Sequence, residues 1–252
     1  MLFANDLRHA LDGSAFAREA LGIGLDQWQE TVLTTASKRL MLNVSRQGGK
    51  STIAATKALH RAHFVPGSLI LMVSPSLRQS GELYRKWRDL ADRLPALSLT
   101  EDTKTSCTLK NGSRVVSLPS SEGTVRGYSA VDLLLLDEAS RVTDELYGAC
   151  RPMVAVSGGA IIAMSTPAGE RGFWHDAWTN GGDAWQRVEV PASMCPRISP
   201  AFLAEERAAL PERVFRAEYC CSFEAIAGGV FRAEDLALAL ENDVEPLFKE
   251  AS

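Results

Sequence analysis

Short, almost wholly apolar runs alternate along this chain with stretches whose apolar residues recur every three or four positions. Residues 39–44 (Arg-Leu-Met-Leu-Asn-Val), 69–73, 132–136 and 159–165 have the length and composition of strands buried on both faces. Helical patterns separate them. One spans residues 26–36, where Asp26 and Gln29 have the spacing of a capping pair, the carboxylate capping and the amide reaching back. Another spans 52–64 and stops at Pro66-Gly67. A third, basic and amphipathic, opens at Ser76 with Gln79 and runs to about Leu94, before Pro95, and a short one covers 143–150. Residues 107–110 and 113–118 flank Asn111-Gly112, a pair that supplies the positive φ angles of a two-residue hairpin turn. An amphipathic segment opens the chain at residues 3–11. Beyond Thr166 the periodicity loosens, with helices expected over 173–179 and 199–221 and an edge strand over 184–190. Strands alternating with helices imply an α/β fold, with a mainly parallel sheet and helices on both faces.

Composition refines this picture. A chain of 252 residues accommodates one α/β domain with a sizeable core and a small appendage. Hydrophobic content of 46% and charged content of 23% suit a globular rather than a disordered chain. The apolar runs are far too short to cross a bilayer, and residues 1–20 carry charges where a secretory signal would be apolar. Both points place the protein in a cytoplasm. Cys107, Cys150, Cys195, Cys220 and Cys221 are odd in number and show no Cys-x-x-Cys spacing, so they suggest neither a disulfide framework nor a zinc site. A net charge of −4 argues against a generic basic nucleic-acid-binding protein. It still permits a motor that holds DNA with a few basic residues on one face.

The candidate chemistry sits where strands end. Gly48-Gly49-Lys50-Ser51 lies between a strand and a helix, the setting in which small residues let backbone N–H groups wrap phosphates. The lysine can reach β and γ phosphates and the hydroxyl can bind Mg²⁺; the usual pattern also has an earlier glycine, where Val44 stands. Leu133-Leu134-Leu135-Leu136-Asp137-Glu138 is an apolar strand ending in paired carboxylates. There Asp137 can orient Mg²⁺ through its water shell and Glu138 can polarise an attacking water. The strand at 69–73, between these motifs in the chain, suggests the class that inserts a strand between them. Met164-Ser165-Thr166-Pro167 ends the next strand. Its hydroxyls either sense a γ-phosphate or cap a turn before proline.

Taken together, these motifs resemble a family. Arg46-Gln47-Gly48-Gly49-Lys50-Ser51, with Arg-Gln replacing a glycine-rich start, resembles the Walker A motif of the large terminase subunits of tailed bacteriophages. Residues 133–139 look like their Walker B motif, and Ser165-Thr166-Pro167 like their coupling motif. Trp28-Gln29 is similar to their adenine-recognising glutamine motif, and Val125-Arg126-Gly127 to a recurrent Arg-Gly pair. Residues 215–223 and 228–231 look like the end of the ATPase region. The likeness covers roughly residues 20 to 235.

The resemblance implies a P-loop NTPase of the ASCE type with a small C-terminal lid-like region. The expected divisions are an N-terminal segment (1–25), the ATPase core (26–170), the lid or C-terminal part (171–235), and an acidic tail or linker (236–252). It implies ATP and Mg²⁺ as cofactors. Lys50, Glu138, Arg126 and Arg46 are then the catalytic candidates, and Ser51 and Asp137 the metal ligands. Gln29, Gln47, Gly48, Gly49, Lys50, Ser51, Thr52, Ser165 and Thr166 are the nucleotide contacts. Gln29 is explained nearly as well as a helix cap. Arg126 is either an arginine reaching a neighbouring subunit's ATP or a loop arginine paired with a carboxylate. Arg78, Arg85, Lys86 and Arg88 either line a DNA channel or form a solvated helix face. The implied partners are double-stranded DNA, a portal protein and a small terminase subunit. A homo-oligomeric ring would act at the procapsid portal in the bacterial host cytoplasm. In this family a nuclease domain follows the ATPase. Asp235 and Asp243 do not supply its acidic constellation, so the motor half alone is expected here. A helicase-like DNA-dependent ATPase and a non-hydrolysing nucleotide-binding assembly module are the alternatives.

Overall fold

The computed structural model describes residues 2–120, 125 and 127–224. Eight strands form one sheet: β1 (Arg39–Val44), β2 (Leu69–Ser74), β3 (Leu99–Asp102), β4 (Ser106–Leu109), β5 (Arg114–Pro119), β6 (Leu133–Asp137), β7 (Ala160–Ser165) and β8 (Gln186–Val190). Their spatial order is β3-β4-β5-β2-β6-β7-β1-β8. All pairs from β5 to β8 are parallel, and β3–β4 and β4–β5 are antiparallel. The strand that lies between β1 and β6 in the sheet is thus β7, whereas β2, which separates them in the chain, lies on the far side of β6.

Helices cover both faces. The main ones are α1 (Leu2–Leu11), α2 (Gln27–Thr34), α3 (Lys50–Phe64), α4 (Leu77–Ala91), α5 (Asp144–Cys150), α6 (Gly172–Asn180), α7 (Pro200–Ala209) and α8 (Glu212–Tyr219). Alternate residues of a strand point to opposite faces, and the core divides accordingly. Leu42, Val44, Ile70, Met72, Leu135 and Met164 pack with α2, α3 and α4, while Met41, Leu71, Val73, Leu136 and Ala163 pack with α5 and α6. The same alternation aims Asp137 at the α3 side and Ser165 at the α5–α6 side. On α4, Leu83, Trp87 and Leu90 are buried against the sheet, each large aliphatic contributing about 1.5–3 kcal/mol.

Several local details depart from the pattern. The hairpin at Asn111-Gly112 is a three-residue loop with a bulge rather than a two-residue turn: Gly112 alone has positive φ (84°), and Leu109 N–H donates to the Ser113 carbonyl at 2.8 Å. The Asn111 amide donates instead to the carbonyls of Ala62 and His63 (2.9 and 3.1 Å), capping the end of α3. Residues 199–221 form two helices, because Pro211 interrupts them. β8, in contrast, is the edge strand expected: it pairs in parallel with β1 alone and closes that side of the sheet. No helix among the described residues is long and apolar enough to cross a membrane.

Candidate functional site

The loop between β1 and α3 sits at the C-terminal tip of β1, one strand from the tip of β7 and two from that of β6. Lys50 is the first residue of α3, and Ser51 and Thr52 follow in its first turn. There the helix N-terminus presents unpaired N–H groups and a positive field. Gln47 (φ 58°) and Gly49 (φ 98°) adopt the left-handed conformation that bends the loop back over this terminus. Gly48 has a packing reason. A Cβ there would lie 2.5 Å from Val44 Cγ1, so the loop accepts valine at 44 because residue 48 has no side chain.

Lys50 and Glu138, remote in sequence, meet: Nζ lies 3.2 Å from Oε1, with both side chains mostly shielded. Glu138 has φ 48°, a left-handed turn immediately after β6, and its N–H donates to Asp137 Oδ1 at 3.1 Å. Asp137 is buried. Burial, and secondarily the Glu138 charge, push its carboxyl up to about 6, while Lys50 draws it back. A buried carboxylate at this electrostatic cost, near the helix N-terminus that begins with Lys50, has the chemistry to suit a hard divalent cation. Mg²⁺ usually takes one or two protein oxygens and the rest from phosphates and water. No cluster of three or more His, Cys, Asp or Glu able to hold a metal by itself is found among the described residues.

The hydroxyl pair is reached from a second direction. Ser165 Oγ lies 2.7 Å from Ser140 Oγ, on the turn that carries Glu138, and Thr166 is buried beside it. The β7 tip is therefore tied to the carboxylate turn through Ser140, a residue that no sequence motif singles out. Arg46 is largely exposed. Its N–H donates to the Glu218 carbonyl at 3.1 Å and its Nε lies 3.7 Å from the Glu218 carboxylate, so α8 holds the start of the loop. Gln29 is buried; its Oε1 accepts from the Asp26 N–H at 2.9 Å, and its Nε2 lies 3.0 Å from the position of a Cβ on Gly49. The helix-cap role of Gln29 is thus present, and its amide still abuts the loop. Arg126 and residues 228–231 lie outside the described residues. On α4, Arg85 pairs with Glu82, and Arg88 with Asp92 and Asp102, which neutralises much of that face locally.

A glycine loop at the tip of β1, paired carboxylates at the tip of β6, and between them a strand β7 that ends in Ser165 define a P-loop NTPase of the ASCE type. Residues 41–238 match the family described as terminase large subunit, T4likevirus-type, N-terminal, and the chain belongs to that family. It is 24% identical over 259 residues to the large terminase subunit of Thermus virus P23-45, an alignment covering 88% of this chain and 53% of that protein. The chain therefore spans about half the length of the curated relatives it matches. Its fold is similar to that of the large terminase ATPase domain of Thermus phage P74-26, with a TM-score of 0.71 at 20% identity over 82% of this chain and 97% of that one. It is also similar to the large terminase of the thermophilic bacteriophage D6E in complex with ATP-γ-S. There the TM-score is 0.67 at 10% identity, over 79% of this chain and 53% of that one.

Proposed function

We propose that this chain is the ATPase part of a viral genome-packaging motor, hydrolysing ATP to drive double-stranded DNA into a procapsid. The observation that carries the reading is the Lys50–Glu138 contact, which brings a phosphate-binding cation and a catalytic carboxylate to one point beside a buried Asp137. The N–H groups at the start of α3, with Lys50, hold the β and γ phosphates, and Gly48, Gly49, Gln47 and Thr52 shape that cradle. Ser51 and Asp137 would hold Mg²⁺, which supplies positive charge to the phosphate oxygens when bound. Glu138 orients the attacking water and draws on its proton. The bond from the γ-phosphorus to the bridging oxygen breaks, leaving ADP and inorganic phosphate. Through Ser140, the Ser165-Thr166 tip reports the state of that turn to the rest of the sheet. Gln29 offers Nε2 as a donor to an adenine acceptor, and Arg46 and Arg126 add positive charge at the γ-phosphate, the latter from a neighbouring copy in a ring.

In this reading residues 171–235 are the lid or C-terminal part of the ATPase domain, and a portal protein and a small terminase subunit complete the machine in the bacterial cytoplasm. The test is phosphate release with Mg²⁺ and ATP, with and without double-stranded DNA. A low rate alone that rises with DNA is expected. Mixing Arg126→Ala with Lys50→Ala chains under assembling conditions should restore part of the rate. Nucleotide binding with no hydrolysis, with or without DNA, would favour an assembly module over a motor, and absence of complementation would remove the role of Arg126 in trans.

A further inference from the structure

Arg197 follows β8 in a stretch, Cys-Pro-Arg-Ile-Ser-Pro, that carries no motif. Its guanidinium makes a fork on the Asp26 carboxylate, Nη1 to Oδ1 at 3.1 Å and Nη2 to Oδ2 at 2.7 Å. The same Nη2 also donates to the Gly48 carbonyl at 3.1 Å. A two-point pairing with a carboxylate fixes the guanidinium plane. The donor that holds Gly48 therefore has a direction of its own, set by Asp26. Asp26 is fixed in turn, because its N–H donates to Gln29 Oε1 at the start of α2.

The consequence lies on the other side of one peptide bond. In a trans peptide the Gly48 carbonyl and the Gly49 N–H point to opposite sides. With the carbonyl turned outward onto Arg197, the Gly49 N–H is turned inward, and it has no acceptor among the described residues. Glycine on both sides leaves this peptide with no side chain of its own to fix its rotation; the flanking Gly48 N–H and Gly49 carbonyl are bonded within the loop and α3, and Arg197 holds the carbonyl of the peptide itself. Gly49, at φ 98°, is held this way while the Arg197 Nη2 lies 3.6 Å from where its Cβ would be.

We propose that Arg197 is a positioning residue of the nucleotide site: it presets the Gly48–Gly49 peptide so that its N–H faces the polyphosphate. This rests on the nucleotide-site reading above and deepens it. The arginine acts through the loop backbone, on phosphates rather than on the base. Asp26 acts only by aiming Arg197.

The experiment is equilibrium binding of ADP and GDP, read by calorimetry without hydrolysis, on the full chain and its Arg197→Ala, Arg197→Lys, Asp26→Asn and Lys50→Ala variants. Losing a charged hydrogen bond to the loop is expected to weaken ADP binding about ten-fold or more. The factor should be the same for GDP. Arg197→Lys should recover part of the loss, since an ammonium can still reach the Gly48 carbonyl without the fork. Asp26→Asn should fall between, and the double variant Arg197→Ala with Asp26→Asn should bind no more weakly than Arg197→Ala alone. Unchanged affinity in a folded Arg197→Ala chain would overturn the proposal. So would a loss confined to ADP, which would make Arg197 a base contact, or full additivity with Asp26→Asn. If Arg197→Ala does not fold, the lysine and asparagine variants decide by the same criteria. Wild-type chain that binds no nucleotide, or binds it equally with Lys50→Ala, would instead sink the nucleotide-site reading itself.

Discussion

Replacing Gly48 with alanine tests whether the phosphate loop is shaped by the packing described above. The new Cβ would meet Val44 Cγ1 at 2.5 Å, the Ser45 carbonyl oxygen at 3.1 Å and Cys195 Sγ at 3.4 Å. Carbon atoms prefer 3.5–4.0 Å, so the first contact must open by about 1 Å. Val44 is wholly buried and cannot turn into solvent, which leaves movement of the loop. Overpacking of this kind costs about 1–3 kcal/mol, and for a chain of this size that lowers Tm by roughly 2–12 °C. Nucleotide affinity should fall with it, because the displaced backbone is the cradle. Val44→Ala removes Cγ1 and by itself costs about 1–3 kcal/mol as a cavity. In the double variant the clash is gone, so its loss should be smaller than the sum of the singles by about 1 kcal/mol or more. Urea unfolding and calorimetric ADP titration of the four chains measure both effects. Strict additivity, or a Gly48→Ala chain as stable and as tight-binding as wild type, would refute the packing explanation of the loop.

Two further outcomes follow from contacts away from the loop. His60 and His63 lie with Phe16 and Phe64 where the N-terminal segment packs on α3, and burial lowers the pKa of both imidazoles. The unfolded chain therefore binds their protons more readily. Their contribution is full above the unfolded value near 6.5 and is lost as pH falls from there towards the folded values. Thermal unfolding between pH 7.5 and 5 should show a drop in Tm that is smaller in the His60→Gln, His63→Gln double variant, and an equal drop in both would exclude these histidines as the cause. Asn111→Ala removes the amide that caps α3 and should cost about 1–3 kcal/mol in urea unfolding; a loss under about 0.5 kcal/mol would mean that water replaces the cap.

Most of the architecture was legible because its signals are local. Apolar strands, proline stops and capping pairs mark β1, β2, β6, β7 and the helices around them, and the parallel order follows from their alternation. β3 was missed because Leu99 is its one apolar residue and the strand is mostly exposed, so it has no hydrophobic pattern to read. The site divides in the same way. Lys50, Asp137 and Glu138 are visible because a glycine loop with a lysine and a carboxylate pair after an apolar strand are local patterns at strand tips. Ser140, Glu218 and Arg197 were not, since each touches the loop or the strand tips through a contact that only the folded sheet creates: a hydroxyl between neighbouring strand ends, a backbone carbonyl from α8, and a guanidinium from beyond β8. The inserted strand shows the limit of reading order along a chain. The motifs are separated in sequence by β2 to β5 and in space by β7, because a parallel sheet places its strands by crossover, not by succession.

The central claim is that Glu138 performs chemistry on a nucleotide held by Lys50. Single-turnover hydrolysis of ATP, measured alongside ATP binding in wild type and Glu138→Gln, tests it most directly. The glutamine keeps the shape of the turn after β6 but cannot draw a proton from water, so binding should stay within several-fold while the hydrolysis rate falls by at least about 10²-fold. Equal hydrolysis by the two chains would contradict the account.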